Sequence, residues 1–293
     1  MKFKKFILFL GLVPVIAFAE ELPKENKFDL NLRRIGIEWN KTSVTSQGEE
    51  AYRNSPVAAF TATSQDVLKG VLDVALEYSK EKFRWDNSLF MEYGKTTLRP
   101  YNKEVTSDES ADKILFSTDL AYACWNFWGI KFGPIARGQY ETEFVGNPTR
   151  NNVLRPNMGF ALFDHKILKT LYAVAVYEYD FSYADNPVSK SAAEIGWRAE
   201  YALRDGVKFV TDGYYRKYLG YSKYVYTDFE RDLDANIRLD VNMWGNLTVG
   251  PYVKYRLAKA RGSDVYGSNT SVGISFNYIN KFNLRPLSDK PTN

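Results

Sequence analysis

The sequence predicts an all-β protein: a single closed antiparallel transmembrane β-barrel of about twelve strands, both termini periplasmic. Three observations predict it. Apolar and polar residues alternate with period two through a long series of segments. The connections between those segments alternate between long and short. Near the C-terminus, Ser271-Val272-Gly273-Ile274-Ser275-Phe276-Asn277-Tyr278 carries the last-strand pattern read by outer-membrane assembly machinery, with Ser271, Gly273, Phe276 and Tyr278 at its defining positions.

Residues 1–19 read as a secretory signal. Met1-Lys2-Phe3-Lys4-Lys5 is basic, Phe6 to Ile16 is apolar, and Ala17-Phe18-Ala19 supplies small residues for cleavage. The apolar run is too short to cross a hydrocarbon core of about 30 Å. Cleavage would remove Lys2, Lys4 and Lys5 and lower the formal charge from +4 to +1. The basic balance therefore gives no case for nucleic-acid binding. A single cysteine, Cys124, excludes an intramolecular disulfide framework. The 16% aromatic content asks for a reason, and girdles at two membrane interfaces supply one.

Twelve strands can be assigned along the chain. The first, 28–42, turns Arg34 and Glu38 inward. In the second, 65–79, Leu68, Leu72, Val74 and Leu76 oppose Lys69, Asp73 and Glu77. In the third, 82–95, Phe83, Trp85, Leu89 and Met91 oppose Arg84, Asp86 and Glu92. The fourth, 113–125, sets Ile114, Phe116 and Leu120 against Ser117 and Asp119. The fifth, 128–142, contributes Lys131, Arg137 and Glu141 to the inner face. The sixth is short, 156–164, and the seventh, 168–183, brings Glu178 and Asp180. The eighth, 191–204, opposes Glu194, Arg198 and Glu200 to Ile195, Trp197 and Tyr201. The ninth, 207–220, carries Lys208, Asp212 and Arg216 inward.

The tenth, 225–242, alternates most clearly. Asp228, Glu230, Asp232, Asp234, Asn236, Arg238 and Asp240 share one face, and Phe229, Arg231, Leu233, Ala235, Ile237, Leu239 and Val241 the other. A helix of this sequence would carry charge all round. The eleventh, 244–258, sets Leu247, Val249 and Val253 against Lys254 and Arg256, and the twelfth, 270–282, holds the terminal pattern. Pro56 to Thr63 is demoted as a strand by its proline and its length. Residues 20–282 thus form the barrel, and 283–293, with Pro286 and Pro291, a periplasmic tail.

Short connections fall at Lys80-Glu81, Asn126-Phe127, His165 to Ile167, Asp205-Gly206 and Met243; long ones fall near 43–64, 96–112, 143–155, 184–190, 221–224 and 259–269. Outer-membrane barrels have short periplasmic turns and longer external loops. Trp85, Trp125, Phe127, Trp128 and Trp244 gather beside the short turns, and Tyr93, Tyr140, Tyr183 and Tyr215 at the opposite strand ends. Both sets suit headgroup depth.

Arg84-Trp85-Asp86-Asn87-Ser88-Leu89 leading to Glu92-Tyr93-Gly94, Ser110-Ala111-Asp112-Lys113, and Arg137-Gly138-Gln139-Tyr140-Glu141-Thr142 resemble uncharacterised outer-membrane β-barrel families of the domain-of-unknown-function or salt-induced outer-membrane protein type. The resemblance implies a fold and a location in the outer membrane of a Gram-negative bacterium. It implies no substrate, cofactor or catalytic residue.

The inward face decides the function. Lys208, Asp212 and Arg216 flank Asp228, Glu230, Asp232, Asp234, Arg238 and Asp240 on one side, and Lys254 and Arg256 flank them on the other. Opposite charges on neighbouring strands stabilise each other, so the cluster reads either as a wall-stiffening network or as a charged filter. The expected role is passive passage of small hydrophilic solutes through a mixed-charge lumen. An excess of inward carboxylates points to a modest cation preference. The alternatives are a closed barrel with a structural or surface-binding role and, third, a lipid-modifying enzyme. Against an enzyme, the one histidine, His165, falls at a short turn and no Gly-x-Ser-x-Gly occurs. No cofactor and no metal is expected. The expected partners are membrane lipid, assembly machinery and solute.

Overall fold

Thirteen strands close into one antiparallel sheet whose first and last members pair with each other. The structure is a computed structural model and describes residues 26–45, 49–55, 60, 62–100, 106–127, 129–145 and 150–284. The expected signal, residues 285–293 of the expected tail, Trp128 and most of 56–63 lie outside these. The strands are β1 (Asn26–Val44), β2 (Ala62–Lys80), β3 (Phe83–Pro100), β4 (Thr106–Tyr122), β5 (Trp125–Phe127), β6 (Ile130–Thr142), β7 (Asn152–Phe163), β8 (Leu168–Asp180), β9 (Val188–Arg204), β10 (Val207–Tyr221), β11 (Phe229–Trp244), β12 (Leu247–Ala260) and β13 (Gly267–Asn283). β4 and β5 both pair with β6, so β5 prolongs the β4 stave past a break at Ala123-Cys124. Cys124 sits exposed in that break rather than on a strand. The barrel thus has twelve staves, the number the alternation predicts.

The side chains invert the order of a soluble protein. Ile37 is 58% exposed and Trp39 61%, whereas Glu38 between them is 5% exposed. The same inversion holds on β13, where Val272, Ile274 and Phe276 face out and Ser275 and Asn277 are buried within. Among the described residues no helix is long and apolar enough to cross a membrane. Each strand-to-strand ladder satisfies its backbone groups, and closure leaves no open edge for hydrocarbon to meet.

Each of the five short turns contains one residue in the left-handed region: Glu81, Gly129, Asp164, Gly206 and Gly245. Tight hairpins need that conformation to match strand twist. Glycine adopts it at least cost, and this explains two displaced turns. The turns expected at Asn126-Phe127 and Met243 lie at Gly129 and Gly245 instead. β7 and β9 also begin earlier than expected, because pairing continues to Asn152↔Thr142 and Val188↔Asp180.

Two of the register shifts re-aim residues that alternation assigns to a face. On β1 the register shifts between Leu32 and Ile35, and both Arg33 and Arg34 turn inward, Arg33 onto Glu77 at 3.1 Å and Arg34 onto Glu38. A bulge puts two residues against one and re-aims the side chains beyond it. On β11 the shift falls between Phe229 and Arg231. It corrects two assignments. Phe229, expected outside, is buried against Phe60, Ala258 and Ala260. Glu230, expected in the lumen, pairs at 3.0 Å with Lys259, whose neighbours Ala258 and Ala260 hold the inner face.

The seam joins β13 to β1 with Phe276 opposite Ile37 and Ser271 opposite Thr42. The Ser271 and Thr42 hydroxyls are 2.8 Å apart. A Cβ at Gly273 would lie 2.3 Å from the Trp39 carbonyl oxygen, so only glycine lets the seam close. At the long-loop end, the β1–β2 connection folds inward. Its helix α1 (Glu50–Arg53) carries Tyr52 into the mouth, where Tyr52 and Phe60 are fully buried. Tyr52 Oη lies within hydrogen-bond distance of the Val265 and Ala258 carbonyls, at 2.6 and 3.0 Å, and accepts from the Ala260 N–H at 3.1 Å.

Candidate functional site

Inside the barrel two polar-lined chambers lie in series, about 840 Å³ toward the long loops and about 910 Å³ toward the short turns. Their charges are opposite. Among the described residues the long-loop chamber is lined by ten carboxylates and seven Lys and Arg, a net of three negative charges. The short-turn chamber is lined by ten Lys and Arg and seven carboxylates, a net of three positive charges. The inward excess of carboxylates expected from sequence is thus confined to one chamber and cancelled in the other.

The chambers meet at a waist. Arg198 on β9 reaches 3.8 Å from Asp73 on β2, which also lies 3.8 Å from Arg33. Sheet order places β2 and β9 half-way round from each other in either direction, so this pair crosses the lumen rather than running along its wall. Tyr172 borders both chambers. The Arg137 guanidinium stacks 4.3 Å from its ring and donates to both oxygens of Asp119, at 2.8 and 2.6 Å.

The residues singled out on the tenth predicted strand and its neighbours divide between the chambers. Asp228, Asp232, Asp234, Arg216, Lys254 and Arg256 line the acidic one. Lys208, Arg238 and Asp240 line the basic one. Asp212 accepts from Asn236 at 3.3 Å, and Glu230 is outside the lumen. Asp232, 2% exposed, takes two bonds from Arg256 at 3.1 and 2.9 Å and one from Tyr214 at 3.0 Å. Lys254 meets Asp234 loosely, at 3.8 Å. Lys208 and Arg216 stand opposite Asp240 and Asp232 in register, yet their ion pairs go to β9 and, for Arg216, also to Glu178 on β8 at 3.5 Å. Lys208 approaches Glu200 at 3.7 Å, and Arg216 meets Glu194 at 2.5 Å. At the mouth, burial raises the Asp228 carboxyl above its ordinary range, outweighing the hydrogen bond it accepts from the Val225 N–H.

Several lumen residues were not among the sequence candidates. Arg155 bridges Glu141 at 2.8 Å and Glu178 at 2.6 Å, and Lys190 adds a contact to Glu178 at 2.9 Å. Both lie at strand ends, in segments whose composition predicts loops. Arg33 is hidden by its bulge. The inward tyrosines Tyr172 and Tyr214 break the polar run of their faces and have no sequence signal of their own. His165 sits in a short turn, as expected, with Nδ1 accepting from the Ile167 and Leu168 N–H groups at 3.4 and 3.3 Å.

A closed antiparallel barrel, apolar outside and charged inside, defines the class: this is an outer-membrane β-barrel. Within it, residues 61–147 match a family described as "Protein of unknown function (DUF3078)". The salt-induced type of barrel rests on the sequence resemblance alone. No curated protein matches the chain. Among solved structures, it is similar to outer membrane phospholipase A from Escherichia coli, at 13% identity and a TM-score of 0.42, covering 84% of this chain and 90% of that one. It is also similar to an outer membrane channel from Pseudomonas putida F1, at 10% identity and a TM-score of 0.43, covering 90% and 98%. A third, the NanC porin, shares 13% identity at a TM-score of 0.40, covering 82% and 98%. Likeness at this level bears on no residue and no activity of this chain.

Proposed function

We propose that the chain is a passive channel in the outer membrane of a Gram-negative bacterium, its short turns periplasmic, passing small hydrophilic solutes through a constricted mixed-charge lumen. The observation that carries this reading is the construction of the waist. Two polar-lined chambers are divided at the Arg198–Asp73 pair, side chains from opposite walls held at 3.8 Å. Such a partly exposed pair is worth about 1 kcal/mol or less, so thermal rotation of the side chains joins the chambers without moving the backbone. Ser271, Gly273, Phe276 and Tyr278 serve assembly, with Phe276 and Tyr278 presented on the outer surface beside the seam.

A non-enzymatic role is favoured by His165, whose Nδ1 lone pair is already shared by two backbone N–H groups. A base so occupied is poorly placed to take a proton from a nucleophile. Planar-bilayer recording of the refolded barrel tests the channel. Small steady conductance is expected, rising severalfold in Arg198→Ala. Silence from both proteins would overturn the channel in favour of a closed structural barrel.

A further inference from the structure

Resting on the channel reading, we propose that the lumen selects dipolar solutes: short zwitterionic chains of the size of an unblocked tripeptide, with the ammonium in the long-loop chamber and the carboxylate in the short-turn chamber.

Four strands carry the observation. On β1, β6, β9 and β11 an inward carboxylate and an inward arginine stand four residues apart: Glu38 with Arg34, Glu141 with Arg137, Glu194 with Arg198, and Asp234 with Arg238. In all four the carboxylate is nearer the long loops; in three it lines the acidic chamber and the arginine the basic one, whereas Arg34 and Glu38 bond each other, and on β10 the inward pair Asp212 and Arg216, also four apart, runs the other way. β1 and β6 run toward those loops, whereas β9 and β11 run away from them. The order in sequence therefore reverses between the two sets, and the order in space does not. The polarity is that of the majority, and its sum over the wall is the opposite net charge of the two chambers.

Four residues cover about 13 Å of strand, which is about 10 Å of barrel axis at the usual tilt. An extended tripeptide separates its terminal charges by about the same distance. The waist lies between the two charged levels, so a chain of that length would thread it with one end in each chamber. A simple cation is drawn into the acidic chamber and opposed by the basic one. A simple anion meets the reverse. A neutral sugar gains nothing from either. Only a solute with both charges, spaced to straddle the waist, is favoured in both chambers at once.

The wall's internal ion pairs neutralise much of this charge, so what the solute meets is the net of three negative charges above and three positive charges below. The loosest members are best placed to meet it. The side chain of Lys254, beside Asp234, is 42% exposed, and that of Lys208 in the other chamber is 46% exposed.

The test is equilibrium binding to the detergent-solubilised processed barrel of four probes: trialanine, its N-acetyl form, its amide, and the form blocked at both ends. Trialanine is expected to bind about fivefold more tightly than either singly blocked form, each lost charge removing one partly exposed ion contact. Asp234→Asn is expected to shrink the advantage of the free ammonium and spare that of the free carboxylate. Lys208→Gln is expected to do the converse. On the unmutated protein the preference should collapse in 1 M salt, where the screening length falls to about 3 Å; this arm depends on no variant folding. Equal binding of the four probes, absence of binding by all of them, or a salt-insensitive ranking overturns the proposal. A silent bilayer together with the expected ranking would overturn the channel and leave the dipolar site standing.

Discussion

The two chambers are built from the same twelve staves and reach opposite charge. The difference is one of height: among the described residues carboxylates outnumber Lys and Arg ten to seven above the waist and are outnumbered ten to seven below it, on strands that run both ways. Neighbouring strands can pair acid with base anywhere along their length and gain similar stability. Sorting the signs by level therefore adds nothing to the wall that local pairing would not give, and it sets up a field along the path.

The sharpest break in this comparison falls at Asp232. Its carboxylate holds Arg256 and Tyr214 in a buried cluster, whereas Asp234 next along the face meets Lys254 loosely, at 3.8 Å. Asp232→Ala is expected to cost about 3 kcal/mol, since removing one partner strands a buried guanidinium. Asp234→Ala should cost less than about 1 kcal/mol. Urea unfolding followed by loss of the heat-modifiable gel band checks both. Next in size is Tyr52→Phe, which removes a hydroxyl set among three backbone groups at the mouth of the acidic chamber. About 1–3 kcal/mol of loop docking should be lost, read as faster proteolysis between β1 and β2 with the strands still protected.

Smaller effects sharpen the contrast of sign. Arg33→Gln with Lys208→Gln should move the reversal potential toward cation preference. Asp228→Asn with Asp234→Asn should move it toward anion preference, each by about twofold in permeability ratio. Shifts in the same direction would mean that the chambers do not act in series. The smallest expected change is in the unmutated channel, whose two opposed nets should leave the reversal potential in a salt gradient near zero.

The fold was legible because hydrocarbon imposes a strict rule on each strand, and because turn lengths obey a second, independent rule. Ile37 and Glu38, or Ile274 and Ser275, could be assigned to their faces from alternation alone. The site was legible only where alternation held. One extra residue on β1 hid Arg33, and one on β11 exchanged Phe229 for Glu230. Arg155 and Lys190 were lost because strand ends depend on cross-strand pairing, which local composition does not encode. The Arg198–Asp73 contact needs closure of the whole ring before its partners face each other, so no segment of sequence announces it. The four acid–arginine pairs are visible in the sequence as spacings, but their common polarity appears only once strand direction is known.

Tyr52 belongs to the first loop of the chain, and the backbone groups it meets belong to the last hairpin, at Ala258, Ala260 and Val265. Its berth does not exist until that hairpin has zipped. The gatepost therefore sets only once the wall is complete. Protection of this loop from protease would then serve as a clock for the final step of biogenesis.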